Sequence, residues 1–372
     1  MFYSESKQDW HHFEGILDRL TGELSRTVCY VTSDPADPGL RRDDPRLRTF
    51  CIEGGLRLIV FFQMLEADVM VLTMLDLDNF HLKRSKLPVH YVYVFHCMSS
   101  THMLDFANSY DHYDTIFCTG PHQVREIRKR EELHGLPAKT LFEHGYARIE
   151  KLLAERDTRE SGTARKGPAT VLVAPTWGES SLLNVCGERI VAVLLDAGYR
   201  VILRPHYQTV KLTPQVVSAI RDRFGQHPSF EYVDWMGETE SLFRSDLLVC
   251  DWSSMAVEYA LGLERPVLSI DVPPRVRNPD FRELGLEPLE AGIRSEAGFV
   301  LAPDRLDEAP RHIERLLASR EVFGRKMTAL RETTVFNLGR SAEVAAAEIS
   351  RIADDRAAAR RARGQGARVL PT

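Results

Sequence analysis

Residues able to bind an anion or move a proton recur just after short apolar runs. Leu203 is followed by Arg204-Pro205-His206, and the run Leu247 to Cys250 by Asp251-Trp252-Ser253-Ser254. Val171 to Ala174 leads into Pro175-Thr176-Trp177-Gly178, and Phe230 to Val233 into Asp234-Trp235. The first half offers Asp76-Leu77-Asp78, His96-Cys97-Met98-Ser99-Ser100-Thr101-His102, Thr119-Gly120-Pro121-His122 and Gly145-Tyr146-Ala147-Arg148. Histidine exchanges its proton near neutral pH, so His96 and His206 suit acid–base work. Arg204 and the hydroxyls of Thr176, Ser253 and Ser254 suit a negatively charged ligand. An Asp-x-Asp pair can hold a divalent ion on a diphosphate, but a solvated loop carries the same pattern. No metal ligand is assigned.

Such polar ends need a βα alternation to place them. In the second half, strands are expected at Val171–Ala174, Tyr199–Leu203, Phe230–Val233, Leu247–Cys250 and from Val267, with helices between them. The helix from Met255 stops before Pro266, and Ser253 is its expected N-cap. Amides left open at that end, with the helix dipole, favour an anion. The first half repeats the rhythm: a helical stripe over Gln8–Leu24, then strands near Val28, Thr49, Val69, Val89 and Thr115. The expectation is an α/β protein of two Rossmann-like domains with parallel sheets, whose carboxyl-terminal strand ends face a cleft. The domains are expected at 1–155 and 169–340. A linker over 156–168 lacks large apolar residues, and 341–372 form a C-terminal helix and basic tail.

A length of 372 residues requires more than one core. The net charge of −5 argues against nucleic acid as a partner. Six cysteines without paired spacing fit reduced thiols. No apolar run reaches membrane-spanning length and no signal-peptide pattern opens the chain, so a cytoplasmic protein is expected, peripheral to a membrane at most. The tail from Asp355 is expected to fray. Its arginines at 356, 360, 361, 363 and 368 would either attract an anionic membrane or remain a solvated terminus.

Four second-half motifs in order carry a resemblance: Val171 to Trp177, Leu203-Arg204-Pro205-His206, Ser245 to Ser254, and Arg265-Pro266. Together they resemble the CDP-glycerol glycerophosphotransferases, the teichoic-acid and capsule polymerase enzymes. Gly145-Tyr146-Ala147-Arg148-Ile149-Glu150 is similar to that family's Gly-Tyr-Pro-Arg segment, and Tyr113-Asp114 and Phe95-His96 fall where it has similar elements. The first half departs more: Phe95-His96-Cys97 stands for Trp-His-Gly, and Ser99-Ser100-Thr101-His102 for Thr-Pro-Leu-Lys.

The resemblance implies a GT-B architecture with the donor nucleotide held mainly by the second domain. It implies transfer of glycerol phosphate, or a related polyol phosphate, from a CDP-activated donor to a glycan or lipid-linked acceptor in cell-surface polymer biosynthesis, with release of CMP. No cofactor is implied. His96 becomes the candidate base and His206 the second catalytic group. Arg204, Ser253, Ser254, Thr176 and Asp251 become donor-phosphate ligands, and Ser99, Ser100, His102 and Asp78 the acceptor-side candidates. A GT-B glycosyltransferase using a nucleotide-sugar is the alternative, and a non-catalytic nucleotide-sugar-binding subunit a third reading.

Overall fold

The apolar runs become strands of two all-parallel sheets in the computed structural model, which describes residues 1–159, 167–234 and 239–366. The first sheet holds β1 (Phe2–Ser4), β2 (Val28–Thr32), β3 (Leu47–Cys51), β4 (Val69–Leu72), β5 (His90–Val94), β6 (Thr115–Cys118) and β7 (Thr140–Glu143). Their spatial order is β3-β2-β1-β4-β5-β6-β7. The second sheet holds β8 (Thr170–Val173), β9 (Arg200–Leu203), β10 (Phe230–Tyr232), β11 (Leu247–Cys250), β12 (Val267–Ile270) and β13 (Gly298–Leu301), ordered β10-β9-β8-β11-β12-β13. Both orders reverse after their first strand, the doubly wound pattern.

Helices connect the strands. They are α1 (Trp10–Asp18), α2 (Gly55–Met64), α3 (Pro121–His134), α4 (Ala147–Arg159), α5 (Leu182–Asp196), α6 (Tyr207–Leu212) and α7 (Pro214–Phe224). Then follow α8 (Glu240–Arg244), α9 (Met255–Leu263), α10 (Leu289–Glu296), α11 (Ala309–Ala318), α12 (Arg320–Thr334) and α13 (Ser341–Gly366).

The chain forms two compact units. Unit 1 comprises Met1–Cys97, Asp105–Arg148 and the chain from Val335 onward; unit 2 comprises Met98–Leu104 and Ile149–Thr334. In unit 1, neighbouring residues on a strand serve opposite faces because side chains alternate. Phe2, Val71 and Val92 pack with Phe13 and Ile16 of α1 and with Ala345 and Ile349 of α13. Tyr3, Leu72 and Tyr93 pack on the other face with Leu58 and Phe62 of α2. In unit 2, Val171, Val173, Leu203 and Val249 meet Leu194 of α5, Ile220 of α7 and Ile313 of α11. Every residue of α9 is buried, which its run Met-Ala-Val-Glu-Tyr-Ala-Leu-Gly-Leu allows, since a helix apolar all round belongs inside.

Several expectations change. The strand β1 is new: three residues are too few to show an alternation. The strands β7 and β13 and the helices α4, α6, α10 and α12 are also new. Residues 156–159, expected in the linker, are the last turn of α4. Arg156 pairs with Glu264 at 2.7 Å and Arg159 with Glu240 at 2.6 Å, so the long charged side chains hold this turn. Residues 160–166 of that linker lie outside the described residues, as do Trp235 and Arg368. The tail does not fray at Asp355: α13 continues to Gly366, in keeping with the helix propensity of Ala357-Ala358-Ala359. Arg356 donates to the carbonyl of Pro88, and Arg360 lies 3.4 Å from Asp68. Among the described residues no helix is long and apolar enough to cross a membrane.

Candidate active site

A doubly wound sheet opens a crevice at the carboxyl ends of its strands where the order reverses. In unit 2 that point lies between β8 and β11, and Asp251 is the first residue past β11. Its side chain is fully buried. One carboxylate oxygen accepts the amide proton of Thr176 at 2.7 Å, the other that of Leu182 at 2.9 Å. Burial raises its carboxyl pKa, and these amides and Arg294 oppose the rise. Both oxygens accepting is the arrangement of an ionised carboxylate. Expected as a phosphate ligand, Asp251 instead ties the loop leaving β8 to the start of α5. A buried anion already engaged by two amides would repel a phosphate. That loop turns at Gly178, whose φ of +113° favours glycine.

Ser253 and Ser254 lead into α9. The Ser253 hydroxyl accepts from the Met255 amide at 3.2 Å, as expected of a cap, although the backbone places the N-cap one residue later at Ser254. Arg204, just past β9, is 2% exposed and is no surface ion-pair partner. Its guanidinium donates to Ser241 Oγ at 3.2 Å and to Met255 Sδ at 3.4 Å, which holds it against the first residue of α9.

His206 caps α6. Its Nδ1 accepts from the Gln208 amide at 3.1 Å, which leaves the ring proton on Nε2. Burial, and then Arg275, lower its pKa to about 4. His206 is therefore a neutral N–H donor at pH 7. Its ring lies 6.0 Å from that of Trp177, and Arg275 stands 4.3 Å over Trp177. The loops after β8, β9 and β12 thus converge on one cluster. Trp252 donates Nε1–H to the Val272 carbonyl at 2.8 Å, with the Arg294 guanidinium 4.0 Å over its ring. Sequence reasoning missed Arg275 and Arg294. Their signal was position alone, Arg275 in the loop after β12 and Arg294 on the helix beyond it. Arg265 of the Arg-Pro motif serves structure: it donates to the carbonyls of Leu242, Phe243 and Ser245 at the end of α8.

In unit 1 the order reverses between β1 and β4. Glu5 follows β1, and Asp9 precedes α1. One Asp9 oxygen accepts the amide protons of Glu5 at 2.9 Å and Ser6 at 3.2 Å. His96 lies just past β5, with Nδ1 3.3 Å from the Tyr93 hydroxyl. The Tyr146 hydroxyl donates to the His96 carbonyl at 3.1 Å, so the Gly-Tyr segment positions His96. Gly145 makes that turn possible: its φ is +101°, and a Cβ there would lie 2.4 Å from the Phe336 carbonyl oxygen. Burial alone would lower the His96 pKa. Cys97, Asp105 and Asp9 outweigh it and raise the pKa to about 10. His96 was expected as the base, and these neighbours favour its protonated form. Sequence reasoning also missed Glu5 and Asp9, because β1 was not recognised.

Ser99, Ser100 and His102 lie in the stretch Met98–Leu104, which belongs to unit 2. The Ser100 amide and hydroxyl both donate to the buried Glu290 of α10, at 2.9 and 2.5 Å. His102 Nε2 lies 3.2 Å from the Leu286 carbonyl, and Asn278 donates to the His102 carbonyl at 2.9 Å. These contacts fasten a segment. Asp78 accepts from the Arg84 amide at 3.0 Å, and Asp76 from the Ser109 hydroxyl at 2.6 Å. Both aspartates have positive φ, so the pair shapes a loop. Among the described residues no group of three His, Cys, Asp or Glu is arranged to hold a metal ion.

The wall teichoic acid polymerase TagF has a similar structure, with a TM-score of 0.61 over 95% of this chain and 88% of that one, at 14% sequence identity. The UDP-GlcNAc 2-epimerase from Neisseria meningitidis gives 0.60 over 94% of this chain and 100% of that one, at 11% identity. That of Methanocaldococcus jannaschii gives 0.58 over 95% and 99%, at 12% identity. These likenesses are of fold, and the fold is GT-B. No curated protein matches the chain in sequence. Over residues 60–272, more than half of the chain and including β8, β9 and β11 with their loops, the sequence matches the CDP-Glycerol:Poly(glycerophosphate) glycerophosphotransferase family, and the chain belongs to it.

Proposed function

We propose that this transferase moves glycerol phosphate, or a related polyol phosphate, from a CDP-activated donor to a poly(glycerophosphate), glycan or lipid-linked acceptor and releases CMP. The family match over the loops of unit 2 carries the reading. The donor diphosphate would lie at the crevice beside β8 and β11, against the start of α9, where open amides and the Ser253 and Ser254 hydroxyls accept negative charge. The Nε2–H of His206 would donate to a phosphate oxygen, and Arg204 would add fixed positive charge. Trp177 offers a ring face to the cytosine, backed by Arg275. Charge on the transferring phosphoryl group is what such a site must stabilise. Peripheral attachment to an anionic membrane would bring a lipid-linked acceptor within reach.

Incubation with CDP-glycerol, CDP-ribitol and a panel of nucleotide-sugars, with acceptor and detection of CMP, UMP and UDP, tests this. CMP release that depends on acceptor is expected. UDP or UMP release in its place would move the assignment to a nucleotide-sugar glycosyltransferase. Nucleotide binding without release from any donor would indicate a binding subunit.

A further inference from the structure

Two stretches far apart in sequence meet inside unit 2. The segment Met98–Leu104 comes from the first half of the chain but belongs to that unit. It lies against the stretch between β12 and α10. The carbonyl of Met103 accepts the amide protons of Arg277 at 3.0 Å and Asn278 at 3.4 Å. The Asn278 side chain is 4% exposed. Its Nδ2 donates to the His102 carbonyl at 2.9 Å, and its Oδ1 accepts from the Asp280 amide at 3.1 Å. The segment is itself fastened where Ser100 donates twice to the buried Glu290. Nearer β12 the same loop is held by Trp252, which donates to the Val272 carbonyl. Arg275 stands between these two anchors, and its guanidinium is the group 4.3 Å over Trp177. An arginine on a free loop samples many rotamers and backbone states. Pro273 and Pro274 on one side, and the Met103 carbonyl on the other, leave this one few.

We propose that Asn278 is a positioning residue for the donor nucleotide: it ties the Arg275 loop to the segment 98–104, holds Arg275 over Trp177, and so sets the affinity of unit 2 for the nucleotide. The proposal rests on the donor reading above, in which Trp177 offers a ring face to the cytosine. Arg275 covers one face of the indole and leaves the other to the base. Both side-chain bonds of Asn278 go to main-chain groups, so its effect reaches the ligand through Arg275 and Trp177. Once the loop is released, Arg275 is in place in only a fraction of the molecules. The apparent affinity falls by that fraction.

The test uses the full chain. Calorimetric titration with CDP measures binding, and turnover is followed with CDP-glycerol and a short poly(glycerophosphate) acceptor. Asn278→Asp keeps the shape and the bond from the Asp280 amide but sets an acceptor against the His102 carbonyl. It is expected to weaken CDP binding about tenfold, raise the donor KM to match and leave kcat near wild type. Arg275→Ala should weaken binding at least as much. The double variant should bind no more weakly than Arg275→Ala alone, because the two residues act in series. Ser100→Ala, which keeps the amide bond to Glu290, should shift the donor KM in the same direction by less. Melting temperatures check that each variant folds; should Asn278→Asp fail to, Ser100→Ala with Arg275→Ala carries the same comparison. Wild-type affinity in Asn278→Asp or Arg275→Ala, or effects that multiply in the double variant, overturn the role of Asn278 and leave the donor reading standing. A loss of kcat with unchanged donor KM overturns it as well. A wild type that binds no CDP and releases no CMP overturns both readings together.

Discussion

Asp251 gives the sharpest test of how unit 2 is built. Asp251→Asn keeps the shape and one acceptor oxygen but turns an amide group toward either the Thr176 or the Leu182 amide. One buried N–H loses its acceptor, which costs about 1–3 kcal/mol. The remaining bond loses its charge, roughly another 1 kcal/mol. The expected loss is therefore about 2–4 kcal/mol, and Asp251→Ala, which frees both amides, should cost more. Urea unfolding followed by tryptophan fluorescence reads this out, since Trp177 and Trp252 both lie in unit 2. At a slope of about 2 kcal/mol/M the midpoint should fall by roughly 1–2 M. Donor KM should rise as well, because the loop bearing Thr176 and Trp177 loses its anchor. An Asp251→Asn midpoint within about 0.3 M of wild type would refute the view that these two bonds order the crevice.

Other perturbations separate chemistry from scaffold. His206→Ala removes the Nε2–H donor and should lower CMP release by about 10²–10³-fold, while the lost helix cap costs only about 1 kcal/mol; parallel activity and urea measurements would expose any other pattern. His144 is buried, neither ring nitrogen has a hydrogen-bond partner among the described residues, and burial lowers its pKa to about 4. Its folded-state pKa lies below the unfolded value of 6.5. Between those values the unfolded chain binds more protons, so stability falls as pH drops. The full effect is roughly 3 kcal/mol, and His144→Phe should flatten the fall of melting temperature between pH 6.5 and 4. Ending the chain before Ser341 strips Ala345, Ala346, Ile349 and Ile352 from the core of unit 1 and should abolish its cooperative unfolding. Ending it after Asp355 keeps those contacts and should leave the transition intact.

The second half was legible because each strand there is an apolar run followed by a polar turn, the clearest signal a buried parallel strand leaves. Arg204, His206, Ser253 and Thr176 could be placed at strand ends from that pattern alone. Their roles could not, since the tautomer of His206 depends on the Gln208 amide and the burial of Asp251 on two distant amides. The first half hid its switch point behind a three-residue strand, so Glu5 and Asp9 stood in no recognisable context. His96 was found, but the influence of Asp105 and Asp9 on it was not, because they reach it only through the fold. The serine–histidine run 99–102 looked like site chemistry. Ser100 bonds to Glu290 and His102 to the Leu286 carbonyl, a purpose that local sequence does not distinguish.

The order in which the two units can be finished during synthesis follows from how the chain is shared between them. The last segment of unit 2 ends at Thr334, whereas unit 1 still needs α13, which begins at Ser341. Until α13 leaves the ribosome, Phe13 and Ile16 face an open groove where Ala345 and Ile349 will sit. The usual amino-to-carboxyl order of domain completion is thereby inverted. The nascent first sheet exposes apolar surface while roughly two hundred further residues are added, and chaperone demand should track that interval.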